Sequence, residues 1–197
     1  MSRLRYDQAM NAQALDFDDL PTPDGSPGME HVARLLSEHA SMESLSGVEA
    51  AVVASYMVPL FFPADTTFIR EGDSADTGFM VLVVEGDVVA ERVSTDPAEA
   101  VTIRVMGPGS ILGEVGLVDN EPRSASCTAS TDVWCVILTR DALQEMIEND
   151  SKVAARLLLL LSANIASMLR DNSRQLKMYA GLTAAMRDEL AQLNAAT

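Results

Sequence analysis

The chain's 197 residues suffice for one well-packed domain with an appended element and fall short of two ordinary domains. Twenty-nine acidic residues against fourteen basic ones give a net charge of −15, a field that repels nucleic acid, and two cysteines exclude a disulfide-dense scaffold or a four-cysteine metal site. Hydrophobic residues make up 48% of the chain, but the longest apolar run, Leu157 to Leu169, is interrupted by Ser162, Asn164 and Ser167; with no apolar segment of signal type near Met1, the expectation is a soluble cytoplasmic protein without a membrane partner.

Residues 1–28 combine Pro21, Pro23, Gly25, Pro27 and Gly28 with several aspartates, too little apolar surface to offset the entropy of ordering, and read as a disordered acidic tail. A short helix is predicted over Glu30 to Ala40. Ser46 with Glu49 three residues on is a capping box for a second helix ending near Met57. His31 and His39, the only histidines, both precede the strands, so a mononuclear metal enzyme built on a β-roll lacks its usual ligands and no metal is expected.

From Val58 to Thr139 short runs of Val, Ile, Phe and Thr alternate with turn signals at Gly72-Asp73, Gly86-Asp87, Asp96-Pro97, Gly107-Pro108-Gly109 and Thr131-Asp132. The predicted strands are Leu60–Phe62, Thr66–Arg70, Gly78–Val84, Asp87–Val93, Val101–Met106, Ser124–Ala129 and Val133–Leu138. Their number and spacing indicate a mainly β fold with flanking α elements, of jelly-roll architecture. Trp134 reads as a core or partly exposed strand residue. Cys127 and Cys135 flank the Thr131-Asp132 turn almost symmetrically, a spacing that allows them to oppose one another on a hairpin, although buried free thiols are the default.

Beyond Thr139, a suitable N-cap, Leu143, Met146 and Ile147 mark a short helix, and Ser151 is a suitable cap for a much longer one. Two sevenfold series run through the long helix, Leu158-Ile165-Asn172-Tyr179-Met186-Leu193 and Leu161-Met168-Gln175-Leu182. Offset by three, they are a and d positions of a parallel homodimer seam, more stripe than one small roll can cover. Gly181 is a weak point in it. Residues 152–197 are net basic while the rest is strongly acidic, yet Arg156, Arg170 and Lys177 recur at multiples of seven like a solvated face rather than a phosphate-reading patch. The organisation expected is a tail at 1–28, a roll with N-terminal helices at 29–150, and a dimerisation or lid helix at 151–197.

Between the fifth and sixth predicted strands lies the run from Gly109 through Gly113-Glu114-Val115-Gly116-Leu117 and Pro122-Arg123-Ser124-Ala125. It reads as a glycine, a short helical turn opening with a glutamate, a loop, and an arginine at the next strand. Gly113 lets an anion approach the backbone N–H groups of the turn. Arg123 adds a forked, permanently charged donor and Ser124 a hydroxyl, while Glu114 is an acceptor suited to a sugar hydroxyl. The alternative is a Glu114–Arg123 salt bridge tying loop to strand in a roll that binds nothing, but burying both charges is expensive unless something satisfies them.

This segment resembles the phosphate-binding cassette of cyclic nucleotide-binding domains. Ile69-Arg70-Glu71-Gly72-Asp73 and Gly78-Phe79-Met80-Val81-Leu82 up to Gly86 are similar to that family's first hairpins, and the resemblance covers roughly Ser44 to Arg170. It implies that Glu114 binds a ribose 2′-hydroxyl, that Arg123 binds a cyclic phosphate beside Gly113, Val115 and Ser124, and that the helix from about Ser151 closes over the base. Met168, Asn172 and Gln175 fall where such a helix meets the base, and equally on the dimer seam. The ligand implied is cAMP or cGMP, with no cofactor.

No nucleophile or general base suggests an enzyme. Transcription factors with this domain continue into a helix-turn-helix, whereas the last residues here are Ala-Gln-Leu-Asn-Ala-Ala-Thr, so DNA binding is not expected. The function expected is a cyclic nucleotide sensor acting through its C-terminal helix on dimerisation or on an unknown protein partner. The alternative is a degenerate roll serving as an interaction scaffold.

Overall fold

Alternation along the strands sorts side chains between two cores. The computed structural model describes residues 28–38, 45–75, 77–93 and 100–195. Helices α1 (Met29–Glu38) and α2 (Gly47–Ser55) precede β1 (Val58–Phe62), β2 (Thr67–Ile69), β3 (Phe79–Glu85), β4 (Val88–Val93), β5 (Ala100–Met106) and β6 (Ile111–Leu112). Then come α3 (Glu114–Asp119), β7 (Ser126–Ala129), β8 (Val133–Thr139), α4 (Arg140–Asn149) and α5 (Ser151–Ala195). The strands form two antiparallel sheets, ordered β1-β8-β3-β6 and β2-β7-β4-β5. The tail expected at 1–28 lies, Gly28 apart, outside the described residues, as do His39, Ala40 and the Asp96-Pro97 turn.

The unbroken apolar run Phe79 to Val84 follows from the position of β3 inside the first sheet with both faces covered. Phe79, Val81 and Val83 point into the roll with Cys135 and Ile137 of β8, while Met80, Leu82 and Val84 point outward with Val136 and Leu138 onto the helices. The helical core set against that outer face comprises Val32 and Leu36 of α1, Val53 of α2, Met146 of α4, and Leu157, Leu160 and Leu161 of α5. Phe62 and Phe68 stack with centroids 4.5 Å apart inside the roll, and Phe61 meets the partly buried Trp134 at 5.1 Å.

The capping box forms as expected: Ser46 Oγ accepts from the Glu49 N–H at 3.3 Å, and the Ser46 N–H donates to the Glu49 carboxylate at 2.9 Å. Arg156 of α5 bonds the same carboxylate at 2.9 Å, pinning α2 to the long helix. Thr139 caps α4 by accepting from the Ala142 N–H at 3.2 Å. At the next junction Asp150 accepts Tyr56 Oη–H at 2.9 Å, and its carbonyl accepts the Val153 and Ala154 N–H groups.

Several expectations change. Ser151 is the first residue of α5 rather than its cap, because Asp150 supplies that first carbonyl. The two-residue β6, which pairs with Val81 and Leu82, is an eighth strand too short to alternate in sequence. Cys127 and Cys135 do not oppose each other: β7 and β8 lie in different sheets, the Ser130–Asp132 turn crossing between them, so Cys127 pairs with Ile69 and Ala90 and Cys135 with Leu60 and Val83. Both are buried free thiols; burial pushes Cys127 up to about 12 and Cys135 upward as well.

Helix α5 differs most from its sequence reading. Leu161, assigned to the seam, is buried in the chain's own core together with Ala154, Leu157 and Leu160, and Leu158 packs beside them. The described side chains from Leu169 to Arg187 are exposed, among them Leu169, Leu176, Tyr179, Leu182 and Met186. Despite its polar interruptions, Ser151–Arg187 is long and apolar enough to cross a bilayer by length and composition, a property that core helices share; its Leu157, Leu160 and Leu161 face the roll.

Candidate ligand-binding site

Glycine places the segment between β6 and β7. Gly113 sits at φ +74°, left-handed backbone that L side chains rarely adopt, and its carbonyl accepts the Leu117 N–H to open α3. Leu117, 2% exposed, plugs α3 into the helical core. At the far end the Arg123 N–H donates to the Asp73 carbonyl at 2.9 Å and the Arg123 carbonyl accepts the Gly72 N–H at 2.8 Å. The Gly72-Asp73 turn, read from sequence as a turn signal and as part of the resemblance, thus clamps the backbone of Arg123.

The Arg123 side chain turns inward and is 5% exposed. Nη1 donates to the Gly113 carbonyl at 2.9 Å and Nη2 to the Phe79 carbonyl at 3.1 Å, and the guanidinium lies 4.3 Å over the Phe79 ring. A Cβ at Gly113 would stand 2.8 Å from Nη1 and one at Gly116 2.9 Å from it, so both positions need glycine for the guanidinium to fit. Glu114, the first residue of α3, is 3% exposed and its Oε1 accepts from Asn164 Nδ2 of α5 at 3.1 Å. Burial raises its carboxyl pKa, opposed by a hydrogen bond from its own backbone, by the Arg104 and Arg123 charges and by Asn164. Glu114 thus meets Asn164 of α5, while Arg123 meets the Gly113 and Phe79 carbonyls.

Gly113, Glu114, Val115, Arg123 and Ser124 all line one cavity of about 620 Å³. Its floor is the inner face of the second sheet, where Ala90 pairs with both Arg104 and Cys127 in one cross-strand row and Arg92 follows two residues on. Small Ala90 and Cys127 leave the space. Helix α5 covers one side with Asn164, Met168 and Asn172, and α1 contributes Leu35 and Glu38. Of the three helix residues expected to meet a ligand, Met168 and Asn172 reach the cavity and Gln175 does not.

Arg92, Arg104 and Asn164 were missed. Arg92 Nε donates to the Ser124 carbonyl at 2.7 Å, steadying the residue after Arg123, and Arg104 acts on the Glu114 carboxylate. The cassette's single arginine is therefore one of three lining the cavity. Asn164 was visible as a break in an apolar run; the signal was present and its address was not.

A cavity that sets guanidiniums beside a buried carboxylate, between apolar walls and under a helix, offers charged donors to an anion and an acceptor to hydroxyl groups. Among the described residues no group of three or more His, Cys, Asp or Glu side chains is placed to hold a metal ion. Residues 59–150 match the family model of the cyclic nucleotide-binding domain. Over 122 residues the chain is 30% identical to the CRP-like cAMP-activated global transcriptional regulator of Mycobacterium tuberculosis, covering 60% of this chain and 53% of that one. Over 112 residues it is 30% identical to the cAMP-dependent protein kinase regulatory subunit of Aspergillus niger, covering 57% and 26%. A crystal structure of a cyclic nucleotide-binding domain from Methylobacillus flagellatus superposes with a TM-score of 0.65 at 28% identity, over 73% of this chain and 79% of that one. The part of the chain that matches cyclic nucleotide-binding domains is thus residues 59–150, which hold the β-roll and the candidate site. It spans about half the length of the mycobacterial regulator and about a quarter of the fungal subunit.

Proposed function

We propose that this protein is a cytoplasmic sensor that binds cAMP or cGMP in the cavity and passes occupancy to α5, which acts on dimerisation or on a partner protein. Arg123 takes the cyclic phosphate together with the backbone of Gly113 to Val115 and the Ser124 hydroxyl, and Glu114 accepts from the ribose 2′-hydroxyl. A guanidinium carries five N–H donors, so bonds to protein carbonyls and to a phosphate are compatible. The working division is a sensor unit at 29–150 and an output helix at 151–197.

The observation that carries this reading is that Glu114 and Arg123, 3% and 5% exposed, line the same cavity, where Glu114 accepts from Asn164 and Arg123 donates to the Gly113 and Phe79 carbonyls. A buried carboxylate is costly unless donors repay its desolvation, and a ligand hydroxyl would add one to the Asn164 amide. The Cys127 thiol that lines the cavity is pushed up to about 12 and is no nucleophile at neutral pH, and a regulatory rather than catalytic role fits the relatives. Thermal melts with cAMP and with cGMP test the proposal, since a ligand at a hundredfold its Kd that binds only the folded state adds about 2.7 kcal/mol. If neither nucleotide shifts the melt, the roll is a scaffold.

A further inference from the structure

Helix α5 is two helices in one. Its first part is fixed to the roll by Leu157, Leu160 and Leu161, each 0% exposed, whereas its described side chains from Leu169 to Arg187 are exposed, Asn172 at the edge of the cavity. Asn164 stands between these parts, one turn past Leu160, and its amide crosses to Glu114 Oε1 at 3.1 Å. Met168 and Asn172 follow at spacings of four, which puts all three on one helix face, and that face lines the cavity.

We infer that Asn164 is the positioning residue through which occupancy of the cavity is transmitted to α5: its amide ties the helix to the carboxylate that receives the ligand's hydroxyl. This rests on the receptor reading proposed above. A carboxylate has two oxygens and about four acceptor sites, so Glu114 can receive the helix amide and a ligand hydroxyl together. The Asn164 amide holds the carboxylate in place, which lowers the ordering cost of a second donor arriving there, and whatever the ligand changes at Glu114 changes what the helix feels there. The coupling is reciprocal, because a helix held over the cavity raises ligand affinity by the same factor by which the ligand holds the helix.

Glu114 is faced by Arg104 from β5, Arg123 from the loop before β7, Cys127 from β7 and Asn164 from α5. The Cys127 thiol, pushed up to about 12 by burial, stays neutral at physiological pH. Removing the Asn164 donor therefore leaves Glu114 easier to protonate, since that hydrogen bond is among the influences lowering its pKa.

The test uses the full chain and its Asn164→Leu and Asn164→Gln variants, titrated with cAMP and cGMP by calorimetry between about pH 5 and pH 8, with hydrogen exchange of α5 followed in both states. Asn164→Leu should weaken binding about three- to tenfold, move the pH at which affinity falls on acidification upward, and abolish the ligand-induced change in exchange beyond Leu161. Asn164→Gln keeps an amide donor and should recover part of each. Parent-like affinity, pH profile and α5 protection in Asn164→Leu overturns this inference alone. Absence of binding to the unsubstituted protein overturns the receptor reading, and this inference with it.

Discussion

Arg123 lies 4.3 Å over the ring of Phe79 and donates to the carbonyl of that same residue at 3.1 Å. One residue at the start of β3 thus fixes the guanidinium both from its face and from its edge, and the Gly113 carbonyl fixes it again at 2.9 Å. The cation is aimed before any ligand arrives, which cuts the ordering cost of binding.

Replacing Arg123 with Ala should weaken cyclic nucleotide binding by about 1.5 to 3 kcal/mol, the range for hydrogen bonds to charged groups. Arg123→Lys keeps the charge without the fork or the stacking and should fall between the two. Calorimetry decides; unchanged affinity in Arg123→Ala would remove this residue from the binding site. The alanine variant should also melt lower, because it leaves two inward-facing carbonyls without their donor.

Gly113→Ala imposes two penalties. A left-handed φ of +74° is strained for alanine by about 1 to 2 kcal/mol, and the new Cβ meets Arg123 Nη1 at 2.8 Å. Gly116→Ala is free of the first; its Cβ meets Arg123 Nη1 at 2.9 Å and the Thr77 carbonyl at 3.0 Å. Both variants should lose ligand affinity, and Gly113→Ala should lose more stability in a thermal melt. Equal melting temperatures for the two would show that the backbone at 113 relaxes out of its left-handed conformation.

The cassette was legible because Gly113, Glu114 and Arg123 lie within eleven residues of one another and their chemistry is local. Arg92 and Arg104 were not, because they reach the cavity only through the register that pairs Ala90 with Arg104. Asn164 depends on where α5 crosses the roll. The strands were readable from alternation and turns, except β6, whose two residues give alternation nothing to work with. Leu161 was misplaced because a spacing of three and four describes a coiled-coil seam and a helix packed on its own domain equally well. Cys127 and Cys135 are the buried free thiols expected by default, but they do not oppose one another, because a short turn between strands can cross from one sheet of a roll to the other.

Two carboxylates should give opposite pH dependences. Glu49 is held at about 2, below the ordinary 4.5, first by the side-chain hydrogen bond with Ser46, then by the Ser46 backbone and by Arg156. The unfolded chain binds more protons in that window, so the stability it contributes is present above about 4.5 and lost as pH falls toward 2. Glu114 is raised by burial, so its charge opposes folding above its folded pKa and the opposition disappears below its ordinary value. Glu49→Gln should therefore lower Tm at neutral pH with a difference that shrinks in acid. Glu114→Gln should raise the Tm of the ligand-free protein at neutral pH while weakening ligand binding. A neutral-pH melt in which Glu114→Gln is the less stable protein would contradict the assignment of its pKa shift to burial.

The described half of α5 that has left the roll exposes Tyr179, Leu182 and Met186 at spacings of three and four, between 55% and 57% exposed. A stripe of that kind in water favours a cover, and a second copy of the same helix, laid parallel, would supply one of matching shape with a and d positions in register. Leu182→Asp places a charge in that stripe without touching the roll and should give monomers at micromolar concentration by light scattering. Met186→Asp should do so less completely, being farther along beyond Gly181. Ile165→Asp should also give monomers, but Ile165 is half-buried, so it should cost stability too. If the ligand acts through this helix, saturating cAMP or cGMP should change the dimer dissociation constant of the unsubstituted protein by about 5- to 150-fold, the span of a typical allosteric coupling. A dimer that survives Leu182→Asp would place the interface elsewhere, and partition of the unsubstituted protein into a membrane fraction would show that lipid covers the stripe instead.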